Sequence, residues 1–375
     1  MTTQSIASSP RGTRTSRTRK TRFVCISDTH NCTVKLPKGD VLIHAGDLTN
    51  QGSYSELSKA IQWLEKADFE TKIVIAGNHD ITLDPPFYTA HSSTFHNQSP
   101  QSPIQCLSLL TSSPSITYLA HQSTTIRLSS PTGPRTTFTV FGSPYSPRNQ
   151  DQGPWAFQYD RDSAAAAALW DAIPLDTDVL VTHTPPYRHC DEAVGRRRAV
   201  GCEVLRRAAW RVRPGLHVCG HVHEARGVER VAWDLEGGGN VRYKERGSEG
   251  CEDTGTGGRM SLVDLTGRKG RRLENDGGCP VGEVVGRGGL EVGEDGADGG
   301  KVEDENGEDG DTEALKGRMG RRETCVVNCA ITATNWPHTG GRRFNKPIVV
   351  DLDLPVWAWE MEREDGAFGL LGRTE

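Results

Sequence analysis

No run in this sequence approaches the roughly 18 consecutive apolar residues that a membrane-crossing helix needs, so no such helix is expected. Hydrophobic residues make up only 35% of the chain, below a typical globular share, so one part of it is not expected to pack. The first 22 residues, MTTQSIASSPRGTRTSRTRKTR, contain no acid and no apolar stripe. Residues 1–21 therefore read as a disordered basic tail, with a mitochondrial transit peptide as the alternative. A secretory h-region is also lacking, and the ten cysteines are scattered. Both facts argue against a disulfide framework and for a reducing, cytoplasmic setting. The formal charge of −5 is not that of a polyanion binder, so neither specific nucleic-acid binding nor membrane attachment is expected. Nothing here speaks to oligomeric state.

Glycine, by contrast, is plentiful and concentrated. Of 42 glycines, 24 fall between Leu235 and Arg322, among acidic runs such as EVGEDGADGGKVEDENGEDGDTE. Such a composition buries too little apolar surface to offset chain entropy, so 235–322 reads as a disordered, low-complexity insertion. Patterned sequence returns at TCVVNCAITAT and KPIVVDLDL. The insertion thus interrupts one domain, 22–234 with 323–357, ahead of a C-terminal tail at 358–375. A surface loop tolerates this because closure entropy rises slowly with length.

Within the domain, short β-branched runs alternate with helical stretches. Strands are expected at FVCIS (23–27), VLIHA (41–45), KIVIA (72–76), FTVFG (138–142), VLVT (179–182) and LHVCG (216–220), with helices near 54–67, 160–172 and 201–212. Continuous apolar runs imply strands covered on both faces, hence a layered α/β core. The Ser/Pro-rich segment 91–136 reads as a long surface excursion.

Five of these strands end in the same way. FVCIS runs into Asp28-Thr29-His30, VLIHAG into Asp47, KIVIAG into Asn78-His79-Asp80, DVLVT into His183, and LHVCG into His221-Val222-His223. In α/β sheets the carboxyl ends of strands open onto the ligand crevice. Two aspartates, four histidines and one asparagine mix hard oxygen with borderline nitrogen donors. No thiolate is among them, which argues against a structural zinc site. Seven donors are too many for one ordinary transition-metal ion and suit two ions about 3.5–4 Å apart. Each piece alone is ordinary: a lone DxH is common loop polarity, and an isolated His183 or His217 is usually a hydrogen-bonded core histidine. GNHD and GHVH are rarer, and the coincidence of all five at strand ends outweighs the bland reading. His44 is expected to point into packing. His91, His96 and His121 fall in the Ser-rich excursion, and His189 and His338 in loops, with no ligand role.

The blocks SDTH, GDLT, GNHD, THTPP and GHVHE resemble the signature motifs of the calcineurin-like metallophosphoesterases. FGSPYSP, WAFQYDR and GCEVLRRAAWRVRPGLHVCGHVHEARG resemble, more narrowly, its metallophosphoesterase-domain-containing branch, close to class III cyclic-nucleotide phosphodiesterases. The resemblance implies a four-layer αββα sandwich with two divalent metal ions at the strand ends, manganese first, iron or zinc as alternatives. It implies that Asp28, His30 and His223 hold one ion, that Asn78, His183 and His221 hold the other, and that Asp47 bridges them. His79 would be a non-ligand histidine beside the substrate, with Asp80 orienting it. Gly77 is expected to allow a tight turn at the strand end, with Asn78 offering its carbonyl oxygen to a metal. The implied activity is hydrolysis of a small phosphate ester, a phosphodiester such as a cyclic nucleotide, by a hydroxide held between the ions. A phosphomonoesterase or phosphoprotein phosphatase shares the same motifs, and a low-activity nucleotide-binding scaffold is the reading from another class.

Overall fold

The apolar runs become strands whose alternate side chains enter two different interiors. The structure, a computed structural model, describes residues 17–149, 153–161, 163–193, 198–235, 245–251, 260–275, 320–334, 338 and 340–357. It opens with β1 (Thr18–Ile26), β2 (Val41–Ala45), helix α1 (Tyr54–Glu65) and β3 (Thr71–Ile75). Helices α2 (Pro85–Phe95) and α3 (Pro103–Thr111) lead to β4 (Ile116–Tyr118), β5 (Gln122–Arg127) and β6 (Thr137–Ser143). The two-residue strands β7 (Ser146–Pro147) and β8 (Gln158–Tyr159) pair with each other, followed by α4 (Ala164–Asp171) and β9 (Val179–Thr182). A second short ribbon, β10 (Glu192–Ala193) with β11 (Arg198–Ala199), precedes α5 (Glu203–Val212) and β12 (Leu216–Cys219). The remaining strands are β13 (Gly227–Trp233), β14 (Glu245–Gly250), β15 (Ser261–Asp264), β16 (Glu323–Asn328) and β17 (Ile348–Pro355).

One sheet has the order β15-β17-β1-β2-β3-β4, the other β14-β13-β16-β12-β9-β6-β5. Strands β1 to β4 run parallel, as do β6, β9, β12 and β16. Phe23 and Cys25, Val41 and Ile43, and Ile73 and Ile75 meet Val140, Val179, Val181, Leu216 and Val218 of the second sheet in one core. The intervening Val24, Ile26, Leu42 and Val74 pack instead with Leu57, Ile61 and Leu64 of α1 and Cys106 and Leu110 of α3. Beyond the second sheet, Leu180 packs with Trp170 of α4 and Leu205 and Val212 of α5. Helix, sheet, sheet and helix make the expected αββα sandwich. Helix α1 owes its start to Ser53, whose side chain accepts from the Glu56 N–H while Glu56 reaches back to the Ser53 N–H. Its buried Leu57, Ala60, Ile61 and Leu64 recur at helical spacing and form the stripe that covers the sheet. The nine described cysteines are all free thiols.

Three expectations need correction. Strand β1 begins inside the presumed basic tail, because Thr18 to Arg22 pair with β17 and the Arg22 guanidinium grips Asp351 through two bonds of 2.7 Å. A basic run carries no core signal when its partner lies so far along the chain. The segment 91–136 is no mere surface excursion: it supplies the end of α2, then α3, β4 and β5, and buries Cys106, Leu110, Leu119, Ile126 and Leu128. The span 235–322 is not insertion throughout, since β14 pairs with β13 and β15 with β17. Val263, Leu265 and Leu273 enter the core between the sheets. Here strand partners supplied by distant sequence override a glycine-rich, charged composition. The remainder of that span, residues 1–16 and the tail after Trp357 lie outside the described residues.

Strand β14 is also pinned by charge. Glu245 accepts from Arg206 Nε (2.7 Å) and pairs with His189 Nε2 (2.8 Å), while His189 Nδ1 meets Glu229 at 2.9 Å. Burial opposes charge on His189, but Glu229 and Glu245 outweigh it and raise its pKa from 6.5 to about 9. Burial likewise opposes ionisation of Glu245, yet His189 and Arg206 bring it from 4.5 down to about 2.

Two measurements follow from this packing. Leu265→Ala should cost about 2–5 kcal/mol in urea unfolding if the segment is core, against less than about 0.5 kcal/mol for an unpacked position. For the ion network, the contribution of His189 is complete below about pH 6.5 and lost as pH rises through about 9. That of Glu245 is complete above about pH 4.5 and lost as pH falls through about 2. Glu245→Gln should therefore destabilise by about 1–3 kcal/mol near pH 5.5 and by less above about pH 9. Equal losses at both pH values would refute the linkage.

Candidate metal centre

The loops after β1, β2, β3, β9 and β12 meet along the edge where the two sheets face each other. Asp28, beyond β1, accepts from Ser27 Oγ at 2.6 Å and from the His221 N–H at 3.1 and 3.0 Å to its two oxygens. The β12 loop of one sheet thus closes on the β1 loop of the other. Gly220 makes the approach possible, because a Cβ there would lie 2.2 Å from Asp28 Oδ2. Asp47, beyond β2, accepts from the His79 N–H at 2.8 Å. A Cβ on Gly77 would lie 2.3 Å from Asp47 Oδ1. The expected tight turn is there, closed by the Asp80 N–H on the Gly77 carbonyl at 3.1 Å. Gly77 is not among the positive-φ residues, so what this glycine supplies to the turn is room. Asp28, His30, Asp47 and His221 themselves hold φ of 51°, 44°, 54° and 67°, left-handed values that side chains other than glycine seldom adopt.

The imidazoles are oriented from behind. His30 Nδ1 lies 3.2 Å from the Thr49 carbonyl and His183 Nδ1 2.9 Å from that of Ala45. Facing carbonyls, these nitrogens donate, and each Nε2 is left to the interior of the cluster. His30 Nε2 is 3.2 Å from His223 Nε2. His183 Nε2 is 3.0 Å from Asn78 Oδ1, 3.2 Å from His221 Nδ1 and 3.4 Å from Asp47 Oδ2. Asp28 Oδ1 stands 3.3 Å from His223 Nε2, and Asp47 Oδ2 stands 3.7 Å from His30 Nε2.

Three donor sets result, each with its ligand atoms within 4.8 Å of one another: Asp28, His30 and His223; Asp47, His183 and His221; and His30, Asp47 and His79. Asn78 joins the second through His183. All seven residues expected to hold metal therefore converge on one edge. Burial keeps the His30 pKa down at about 4, and burial with the neighbouring His183 keeps His221 at about 3, so both are neutral at pH 7, the form in which an imidazole can take a metal. Burial also opposes charge on His183, but Asp47 and then Asp28 outweigh it and raise its pKa to about 9. A cation bound there takes the place of that proton, so loading releases protons. Hard oxygens, borderline nitrogens and a carboxylate reachable from both sides fit a pair of divalent cations, with Asp28, His30 and His223 on one and Asn78, His183 and His221 on the other.

His79 stands at the rim. Its Nδ1 donates to the Asn50 carbonyl at 2.8 Å. Its ring lies 4.1 Å from that of Trp155, tilted 33°, and 4.8 Å from that of His30, edge-on. Asp80 does not orient it, and that expectation is overturned. The fully buried Asp80 carboxylate accepts from Thr49 N–H (3.0 Å) and Thr49 Oγ1 (2.7 Å) at one oxygen. Gly77 N–H (2.9 Å) and Leu48 N–H (3.2 Å) donate to the other. Consecutive residues leave a turn in different directions, so adjacency in sequence misleads here. Asp80 instead fastens the β2 loop to the β3 loop behind the ligands. The contacts that the Asn50 carbonyl and Trp155 make with His79 cannot be read from the sequence, where WAFQYDR carries the branch resemblance but nothing that ties it to GNHD.

Residues 21–225 match the calcineurin-like phosphoesterase family. The chain belongs to that family. Among curated relatives it is 44% identical over 216 residues to the probable rhamnogalacturonate lyase C of Emericella nidulans, covering 57% of this chain and 18% of that one. It is 38% identical over 218 residues to metallophosphoesterase domain-containing protein 1 of Homo sapiens, covering 56% and 62%. The chain thus spans less than two thirds of either relative. Among solved structures, the purple acid phosphatase from yellow lupin (Lupinus luteus) seeds is 11% identical with a TM-score of 0.34, covering 67% of this chain and 43% of that one. The family's expected branch is the one whose name the human relative carries.

The role of Asp80 is open to measurement. Asp80→Asn replaces one acceptor oxygen by a donor that faces buried N–H groups. It should lower stability by about 2–4 kcal/mol and metal affinity by about 10–100-fold. Calorimetric titration with manganese checks this, and an unchanged affinity would refute the fastening role.

Proposed function

We propose that this chain hydrolyses small phosphate esters with the help of two divalent cations, phosphodiesters such as cyclic nucleotides being the substrates turned over fastest. The observation that carries the reading is the pair of donor sets sharing one edge, with Asp47 between them and His79 beside them. A pair of divalent ions bound there would polarise the phosphoryl oxygens and provide a hydroxide nucleophile at neutral pH. Manganese is the proposed pair, with iron or zinc able to occupy the same mixed set.

The protein's own part is positioning and proton transfer. Asp47 keeps both donor sets in register, since the His79 N–H fixes one of its oxygens while the other faces His30 and His183. His79 is held by its Nδ1 on the Asn50 carbonyl, which leaves its second nitrogen for a leaving-group oxygen. In the imidazolium form that nitrogen carries a proton as well, and donating it stabilises charge as it develops on the departing oxygen, leaving the neutral ring still bonded to Asn50. The diester preference rests on the resemblance to the metallophosphoesterase-domain-containing branch alone.

The test is protein stripped by chelator and reloaded with one metal at a time. Bis-p-nitrophenyl phosphate, p-nitrophenyl phosphate and 2′,3′- and 3′,5′-cyclic nucleotides serve as substrates. Turnover of diesters above monoesters supports the proposal, preference for the monoester makes the chain a phosphomonoesterase, and no turnover with any metal refutes hydrolysis. His79→Ala should slow the reaction by about 10²–10⁴-fold with both metals still bound by elemental analysis. Full activity in that variant would remove His79 from the chemistry.

A further inference from the structure

His79 is fixed by one hydrogen bond, and one bond to a backbone carbonyl leaves the ring free to swing about it. What confines the ring is a wall on each side. His30 presents its edge at 4.8 Å and 85°, and Trp155 lies nearly face to face at 4.1 Å and 33°. His30 is tied to the cluster, whereas Trp155 comes from outside it. The Trp155 N–H donates to Gln158 Oε1 at 3.0 Å, and two residues on the Phe157 N–H donates to Asp84 Oδ2 at 2.8 Å. Asp84 also caps α2 by accepting from the Phe87 N–H at 3.1 Å. Phe95, at the far end of that helix, stands 5.2 Å from the indole, with Phe87 6.0 Å behind it. The indole is therefore mounted on α2, by contacts that include no expected metal ligand.

From this we infer that Trp155 is a positioning residue: its indole holds the His79 imidazole on the Asn50 carbonyl, with the second ring nitrogen aimed at the donor sets. In this role Trp155 supplies neither a metal donor nor a proton, and it acts through His79. The catalytic half of this statement rests on the phosphoesterase reading, and the geometric half does not. An aromatic contact accounts for only a few-fold to about tenfold in rate. Trp155→Ala should therefore lower kcat on bis-p-nitrophenyl phosphate by about 3–10-fold with KM changed less than about twofold.

The experiment uses the full chain loaded with manganese. Trp155→Ala should show that loss with unchanged metal content. Its Tm should be lowered by the lost packing on Phe95 but still lie well above the assay temperature, and Trp155→Phe, which keeps a flat ring, should restore most of both. In a His79→Ala background, Trp155→Ala should change nothing further, because its route is already gone. A second loss of the same factor in that background would overturn the inference. Independently of turnover, proton resonances are read in protein loaded with zinc, which is diamagnetic and spares them the broadening that manganese causes. There the imidazole N–H that His79 donates to Asn50 should give a downfield proton resonance, assigned by its disappearance in His79→Ala. That signal should persist in Trp155→Phe and vanish in Trp155→Ala; its survival in Trp155→Ala would also overturn the inference. Should the unaltered protein hydrolyse none of the esters, the phosphoesterase reading falls, while the resonance still decides whether the indole holds the ring.

Discussion

The Asp47 carboxylate fills the space that any side chain at residue 77 would need, and the metal centre depends on that fit. Removing such a charge from water costs several kcal/mol. The cost is offset by the His79 N–H, by His30 and His183 within 3.7 and 3.4 Å, and by cations when they bind. Asp28 repeats the arrangement across the cleft, occupying the gap left by Gly220. Gly77 follows a strand of the first sheet and Gly220 one of the second. Asp47 and Gly77 thus join the neighbouring strands β2 and β3 of one sheet, whereas Asp28 after β1 and Gly220 after β12 meet across the two. That second contact sets the spacing of the sheets at this edge, while the outer helices cover the far faces.

Left-handed backbone at Asp28, His30, Asp47 and His221 adds a cost of about 1–2 kcal/mol at each position. The layers on either side bear it, and in return the ligands point where ordinary strand geometry would not send them. His30 and His183 are further constrained by carbonyls at Thr49 and Ala45, so their rings are oriented before any ion arrives. The rim is built differently. His79 leans on a loop and, through Trp155, on α2, so the donor sets and this histidine have separate supports.

Much of this was legible in the sequence for a simple reason. A strand buried on both faces is an unbroken apolar run, and a polar cluster at its end stands out; that contrast marks Asp28, Asp47, Asn78, His183 and His221. Illegible were features whose signal lies in a distant partner. Ser261–Asp264 is a strand because β17 lies beside it, and Thr18–Arg22 because Asp351 waits on the same partner. The role of Asp80 was misread because neighbours in a turn diverge: its carboxylate turns back to Thr49 and Gly77 while His79 faces outward. Trp155 opens the WAFQYDR block that carries the branch resemblance, yet nothing there ties it to His79, since a residue that acts by touching another's ring has no spacing of its own.

The pairing of β1 with β17 has a consequence for how the chain is made. Strand β1 is the partner of both β2 and β17, yet β17 is not complete until residue 355. At the usual ribosomal pace of about 5–20 residues per second, the interval between the two is on the order of 15–65 s. For that time one side of β1 carries unpaired N–H and carbonyl groups beside the hydrophobic Phe23 to Ile26. The nascent chain must pass through synthesis with an open sheet edge, the kind of surface that pairs with other chains until its own last strand arrives.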